Sequence, residues 1–175
     1  MKKLSSLVVL PISAIAGMAI SFLIFDGYPA KADIPDVIAA KDEVLVATIH
    51  AEGSQVYECK LNASGALVWQ FREPVATLIE NGKTVGRHYA GPHWELADGS
   101  LVAAKMATRA NGATAADIPL LKLEVIKRNS VGRFVDITTI QRINTKGGVA
   151  EGSCPTAGAF LSVPYSADYT FLRKQ

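Results

Sequence analysis

The sequence predicts an all-β fold, an antiparallel sandwich or barrel of roughly eight to ten short strands. Three observations lead to this prediction. Apolar and polar residues alternate in many segments after residue 32, turn-forming residues recur between those segments, and no segment there keeps a 3.6-residue period over three turns. Period two is typical of strands that bury one face, whereas helices need the longer period.

Three strands are expected near the start of this region, at 43–51, 55–60 and 67–71. The first alternates and is rich in β-branched residues, which favour strands. Turns are expected at 52–54 and 62–65, because glycine, serine and asparagine are concentrated there.

Two dipeptides, Asn81-Gly82 and Asp98-Gly99, predict tight hairpins, since their residues tolerate the positive φ of a type I′ turn. The strands expected beside these turns are 75–79, 84–89, 93–96 and 101–108.

The C-terminal third predicts a loop, a strand pair and a final strand. Residues 109–119 are small and polar, which indicates the loop, and strands are expected at 120–127 and 133–143. In the final segment, alternate residues from Leu161 to Phe171 are apolar or aromatic, which predicts one buried face. Pro164 is expected at an edge or a bulge, because proline cannot donate a ladder hydrogen bond.

The N-terminus has the pattern of a signal peptide. Two lysines precede an apolar run from residue 4 to 25, and small residues at Ala30 and Ala32 suit a signal peptidase. We expect cleavage after Ala32, which leaves 143 of the 175 residues as a single domain, 33–175, in the periplasm or outside the cell. The alternative is an uncleaved anchor, since the run is nearly long enough to span a bilayer. No later segment could span one.

Charge and composition narrow the classes of partner. Removing the three lysines of the targeting segment from the 18 basic residues, and Asp26 from the 16 acidic ones, leaves 15 of each. A balanced, interspersed charge gives no basic face, so nucleic acid is not an expected partner. We expect a small ligand or a component of the cell envelope instead.

The two cysteines, Cys59 and Cys154, predict one structural disulfide, because an exported chain matures in an oxidising compartment. A redox or metal-binding pair is the alternative. The two cysteines form no CxxC motif, and neither has a histidine beside it in the sequence.

Catalytic and cofactor motifs are absent from the sequence. There is no dinucleotide fingerprint, P-loop, GxSxG elbow or HExxH, so no cofactor is expected and an enzyme is not favoured. The alternative is a metal site that combines His88 with His93 and Glu95 across the turn at 90–92, with His50 as a further ligand.

The segment from 87 to 95 also suggests a binding site for a planar ligand. Tyr89 and Trp94 could stack against such a ligand, although a tryptophan beside a turn is commonly part of the core. Gln141 and Arg142 end an expected strand, and Arg142 could bind an anion or pair with a nearby carboxylate or carbonyl.

Several segments together resemble the domain-of-unknown-function 3455 family of exported proteins. The matching segments are Gln55-Val56-Tyr57-Glu58-Cys59, Val85-Gly86-Arg87-His88-Tyr89-Ala90-Gly91-Pro92 with Trp94-Glu95, Asp98-Gly99-Ser100, Ile118-Pro119, Ile140-Gln141-Arg142-Ile143-Asn144-Thr145 with Gly147-Gly148, and Val163-Pro164-Tyr165 with Tyr169. They occur in the family's order and extend from about residue 34 to the C-terminus.

The resemblance implies an exported β-rich domain and a disulfide between Cys59 and Cys154. It implies no activity, and the dehydrogenase label that some relatives carry has no supporting fingerprint here. The family usually has a small hydroxyl residue at the position of His93, which weakens the metal hypothesis. His88, Trp94 and the Gln141-Arg142 pair match the family pattern and are the first candidates for a shared site.

The sequence therefore favours a non-catalytic protein that binds a small apolar or glycan ligand or associates with the envelope. The alternative is a metal-binding protein or metalloenzyme that uses His88. A purely structural or interaction module is the third possibility.

Overall fold

The computed structural model describes residues 34–175, and the predicted signal peptide lies outside this range. A short 3-10 helix, Asp36–Ile38, precedes eight strands. The strands are β1 (Glu43–Leu61), β2 (Leu67–Glu80), β3 (Lys83–Tyr89), β4 (His93–Leu96), β5 (Leu101–Ala110), β6 (Leu120–Arg128), β7 (Thr139–Gly147) and β8 (Phe160–Lys174). The prediction of an all-β fold is confirmed.

The eight strands form a closed barrel. Each strand pairs antiparallel with the next along the chain, and β8 pairs with β1 to close the sheet. Closure gives every strand two neighbours, so the structure selects the barrel from the two predicted architectures. Within residues 34–175, no helix is long and apolar enough to cross a bilayer.

The turn predicted at 52–54 is wrong, because β1 continues without a break from Glu43 to Leu61. Gly53 lies in the middle of this strand, where a Cβ atom would collide with the carbonyl of Val75 on β2. The glycine is explained by close approach of two backbones and not by a turn.

The separate strands predicted at 67–71 and 75–79 are one strand, β2, from Leu67 to Glu80. The register between β1 and β2 shifts at Tyr57, so that Arg72 is an extra residue on β2. A bulge of this kind bends a strand without ending it.

The strand predicted at 133–143 begins only at Thr139. The residues before it fold across one end of the barrel, where Phe134 and Ile137 are fully buried. The alternation of apolar residues in this segment therefore comes from a cap on the core and not from a strand.

The final strand is as predicted, with one buried face. Tyr165, Ala167, Tyr169 and Phe171 point into the barrel and are at most 5% exposed. Pro164 pairs with Ser54 on β1 but lies one residue beyond the last residue of β8 that pairs with β7, so it has a strand on one side only, as predicted for an edge position.

The two ends of the barrel are built differently. The closed end contains the turns at 81–82 and 97–100 and the segment 129–138. There the ring of Phe134 stacks on Phe171 with 4.2 Å between centroids. Arg133 donates two hydrogen bonds to Glu80, of 2.7 and 2.8 Å, and the pKa of Glu80 is lowered as a result.

The cavity end contains the connections 62–66, 90–92, 111–119 and 148–159. The predicted disulfide is confirmed here: Cys59 on β1 is bonded to Cys154 in the connection between β7 and β8. No free cysteine remains. The bond holds the longest of these connections against the barrel wall.

Candidate functional site

A cavity of about 270 Å³ lies inside the barrel, toward the cavity end. Its innermost surface is formed by His88, Trp94 and Tyr169, and its sides include Leu121 and Leu123. Apolar side chains dominate the lining, as in most small-molecule sites.

The cavity opens through a gap in the barrel wall, which we call the window. Strands β3 and β4 are short, so β2 pairs with β3 only over 76–80, and β5 pairs with β4 only over 101–103. Within the described residues, no strand therefore lies between the middle of β2 and the second half of β5. The first residues of β2 are instead hydrogen-bonded to the connection at 148–159. Phe71 and Met106 stand at this window and are 55% and 57% exposed.

Three aromatic side chains pack together at the inner surface of the cavity. The imidazole of His88 stacks on the indole of Trp94, with ring centroids 4.3 Å apart and planes within 13°. Tyr169 presents its ring edge to both, at 5.0 and 5.2 Å. All three are at most 3% exposed, so the rings are closely packed against one another and against the core.

His88 is a neutral imidazole at physiological pH. Burial, helped by the charge of Arg142, lowers the pKa of His88 to about 3, although the hydrogen bond to the carbonyl of His93 opposes the shift. The Nδ1–O distance is 2.8 Å. Since a carbonyl only accepts, Nδ1 carries the proton and Nε2 keeps a lone pair.

Arg142 brings a positive charge to the cavity from β7, where it is partly buried opposite Tyr169. Its Nε and Nη2 donate to the carbonyl oxygen of Pro119 at 3.0 and 2.8 Å. No carboxylate among residues 34–175 lies within ion-pair distance of it. Burial raises the pKa of the Tyr169 phenol, and the charge of Arg142 opposes that rise.

Three polar groups that line the cavity have no hydrogen bond of ordinary geometry within the described residues. They are Nε2 of Gln55, Nε1 of Trp94 and the hydroxyl of Tyr169. Each residue is at most 2% exposed. A buried donor without a partner costs about 1–3 kcal/mol, so the presence of three such groups in one cavity needs an explanation.

The structure brings together three of the five residues predicted to bind a ligand. His88, Trp94 and Arg142 all line the cavity. The alternation along each strand places the other two on the outer face. Tyr89 donates its hydroxyl to Glu95 at 2.9 Å. Gln141 is covered by the 3-10 helix and donates to the carbonyl of Ile38 at 2.6 Å.

The residues of the metal hypothesis are not brought together. His88 points inward, whereas His93 and Glu95 lie on the outer face of β4. His93 Nδ1 bonds the carbonyl of Ala90 at 2.6 Å, and Glu95 pairs with Arg87 at 2.9 Å. The fourth candidate, His50, bonds Asp168 on β8 at 2.7 Å. Among residues 34–175, no three such side chains form a group that could hold a metal ion.

Sequence reasoning missed Gln55 and Tyr169. Gln55 is a single polar residue among the inward positions of β1, which otherwise include Ile49, Ala51 and Tyr57. That signal was hidden because a turn was expected at 52–54. Tyr169 was assigned to the buried face of the last strand, and nothing in its spacing distinguishes a cavity residue from a core residue.

Comparison with known proteins gives one match. No curated protein and no solved structure is significantly similar to the chain. The sequence model of the family described as "Protein of unknown function (DUF3455)" matches residues 39–173, from the 3-10 helix's end through almost all of β8. The match includes every residue that lines the cavity, and the chain therefore belongs to the domain-of-unknown-function 3455 family.

Proposed function

We propose that the protein is an exported, non-catalytic binding protein that holds one small, mainly apolar ligand inside the barrel. The observation that carries this proposal is the cavity itself, an apolar chamber lined by buried, unpartnered donors. Its volume of about 270 Å³ is close to the lower limit of roughly 300–1,000 Å³ for small-molecule sites. The ligand is accordingly small.

The packing around the cavity supports binding without rearrangement. The stacked pair of His88 and Trp94 is fixed by Tyr169 on one side and by the hydrogen bond from His88 to the strand β4 backbone. The window already offers an entrance beside Phe71 and Met106. A preformed site loses little conformational entropy on binding, which favours affinity.

Export is part of the proposal. The disulfide between Cys59 and Cys154 is consistent with an oxidising compartment, in which such bonds form and persist. The N-terminal pattern that predicts cleavage after Ala32 points to the same compartment, the periplasm or the exterior. The chain would then act as one domain that presents the barrel there.

Native mass spectrometry of protein recovered from the extracytoplasmic fraction tests this proposal. We expect a chain that begins at Asp33, is oxidised, and carries or accepts one small organic molecule. A protein that begins at Met1 would contradict cleavage after Ala32 and support the uncleaved anchor, whereas a protein found only inside the cell would contradict export. A bound metal ion that is lost in His88→Ala would support the metal-binding alternative instead.

Titration with neutral aromatic probes such as benzyl alcohol locates the binding site. The chain has two tryptophans, so two indole N–H signals are expected in a ¹H–¹⁵N spectrum. Trp94 lines the cavity and Trp69 does not. The Trp94 signal should shift with saturation while the Trp69 signal stays, and binding that moves neither would contradict a ligand in the barrel.

A further inference from the structure

The charges around the cavity have one sign. Its lining includes two arginines, Arg72 and Arg142, and no aspartate or glutamate. His88 is neutral and adds no charge. The charged side chains of the lining are therefore all positive, and they favour a ligand group that carries a negative charge.

Arg72 already has partners outside the cavity. Its Nη1 lies 3.4 Å from a carboxylate oxygen of Glu73, and its guanidinium lies 5.0 Å above the ring of Phe160. Arg142 differs, because within residues 34–175 its only hydrogen-bond acceptor is the carbonyl of Pro119. A partly buried guanidinium without a counterion has lost water without gaining a carboxylate.

The geometry of Arg142 leaves a particular set of donors unused. Nε and Nη2 both donate to the same oxygen, that of Pro119. The hydrogens of Nη1 and the second hydrogen of Nη2 remain, and they form the fork that binds a carboxylate through two parallel hydrogen bonds. The fork is planar, which suits a carboxylate better than a single point charge does.

The unpartnered groups of the cavity add to this preference. The indole of Trp94 can only donate, and Nε2 of Gln55 is a donor as well. Tyr169 is the register partner of Arg142 on β8, and its hydroxyl, which is near both Arg142 and Tyr165 but has no hydrogen bond of ordinary geometry, can also donate. A ligand that satisfies these groups must offer acceptor oxygens.

We propose that the ligand of the cavity is a small organic monocarboxylate, held by its carboxylate at Arg142 and by its apolar body against Trp94 and the leucine sides of the cavity. This inference rests on the proposed function, and it adds the chemical class of the ligand. One free guanidinium matches one negative charge, and an apolar lining excludes a highly hydrated polyanion.

Calorimetric titration of the intact mature protein with matched probe pairs tests the proposal. The pairs are benzoate with benzyl alcohol and octanoate with 1-octanol, which differ mainly in the charged group. We expect each carboxylate to bind at least about tenfold more tightly than its alcohol, since hydrogen bonds to charged groups are the stronger ones. The indole signal of Trp94 reports whether the probe enters the cavity.

In the variant Arg142→Met, the affinity for each carboxylate should fall to about that for its matched alcohol. Arg87→Met is the matched control, because Arg87 pairs with Glu95 on the outer face and its side chain is 67% exposed. The control should keep the full preference. A carboxylate preference that survives in Arg142→Met would overturn the proposal.

Even if Arg142→Met fails to fold, the titrations of the wild-type protein test the binding function and the carboxylate preference separately. Alcohols that bind as tightly as carboxylates would overturn the carboxylate proposal and leave the binding function standing. If neither member of either pair binds, both proposals fail. Raising the salt concentration should narrow the preference, because salt screens the carboxylate–guanidinium attraction and leaves the alcohols unaffected.

Discussion

The closed end and the cavity end of the barrel differ in how their inward side chains occupy the space between the strands. At the closed end, Phe134 and Ile137 fill the space between the strands completely, and both are fully buried. At the cavity end, Phe71 and Met106 stand at the window with more than half of their surface exposed. The inward positions near them enclose a cavity instead of a packed core.

The polar groups of the two ends differ in the same way. At the closed end, the buried hydroxyl of Ser100 accepts a hydrogen bond from the backbone of Phe134 at 3.2 Å, and Arg133 is paired with Glu80. At the cavity end, Trp94 Nε1 and Gln55 Nε2 are unpartnered within the described residues. The comparison indicates that the polar groups of the closed end are satisfied within the protein, whereas those of the cavity end are left available for the proposed ligand.

The largest effect is expected from Phe134→Ala, because the ring is fully buried and stacks on Phe171. Its removal should lower the free energy of unfolding by about 3–5 kcal/mol, measured by urea denaturation. Phe71→Ala at the window is the matched control and should cost less than about 1 kcal/mol. Equal losses in the two variants would contradict the difference between the ends.

A double substitution, Cys59→Ser with Cys154→Ser, should lower the free energy of unfolding by about 2–5 kcal/mol. The bond joins residues 95 positions apart, and its loss frees the connection at 148–159. Hydrogen exchange should accelerate in that connection and not around Phe134. Equal acceleration at both ends would show that the disulfide does not act on the cavity end alone.

Protonation of His88 should make stability depend on pH. In the unfolded chain the histidine has a pKa of 6.5, whereas burial lowers the pKa of His88 in the native barrel to about 3. Between these two pKa values the histidine is protonated in the unfolded chain but not in the native barrel. The contribution of neutral His88 to the free energy of unfolding is therefore complete above pH 6.5 and is lost as the pH falls toward 3. The slope is at most about 1.4 kcal/mol per pH unit.

Urea denaturation between pH 6.5 and 5, above the range in which carboxylates titrate, measures this effect. His88→Gln should flatten the slope, whereas His50→Gln should retain it, because His50 lies on the outer face with 41% of its side chain exposed. If the free energy of unfolding of His88→Gln still depends on pH with the same slope, a group other than His88 causes that dependence.

Much of the fold was predictable because period-two alternation is a local property. The buried face of β8 follows directly from it, and the Asn81-Gly82 turn, in which both residues have positive φ, follows from equally local turn chemistry. The turn at Asp98-Gly99 is also present, but only Gly99 has the positive φ expected of both residues. The predicted break at 52–54 failed because a glycine admits two interpretations. It can provide a turn, or it can let a neighbouring backbone approach, and only the contact with Val75 shows which applies.

The candidate site was predictable only in part. His88 and Trp94 lie on adjacent strands of one hairpin, so a local motif contained both. The sequence suggests Arg142 as an anion ligand. It does not show that Arg142 and Gln55 line the same cavity, because they lie on β7 and β1, which are far apart in the chain. Tyr89 was placed in the same site because it neighbours His88, although adjacent residues on a strand point to opposite faces.

The all-β fold class, most of the turns and the pairing of the two cysteines can be predicted from the sequence alone, because each depends on neighbouring residues or on the number of cysteines. Closure of the sheet, the position of Phe134 at one end and the window left by the short strands β3 and β4 at the other are visible only in the folded structure. Those features depend on strand length and register around the whole barrel, which no single segment specifies.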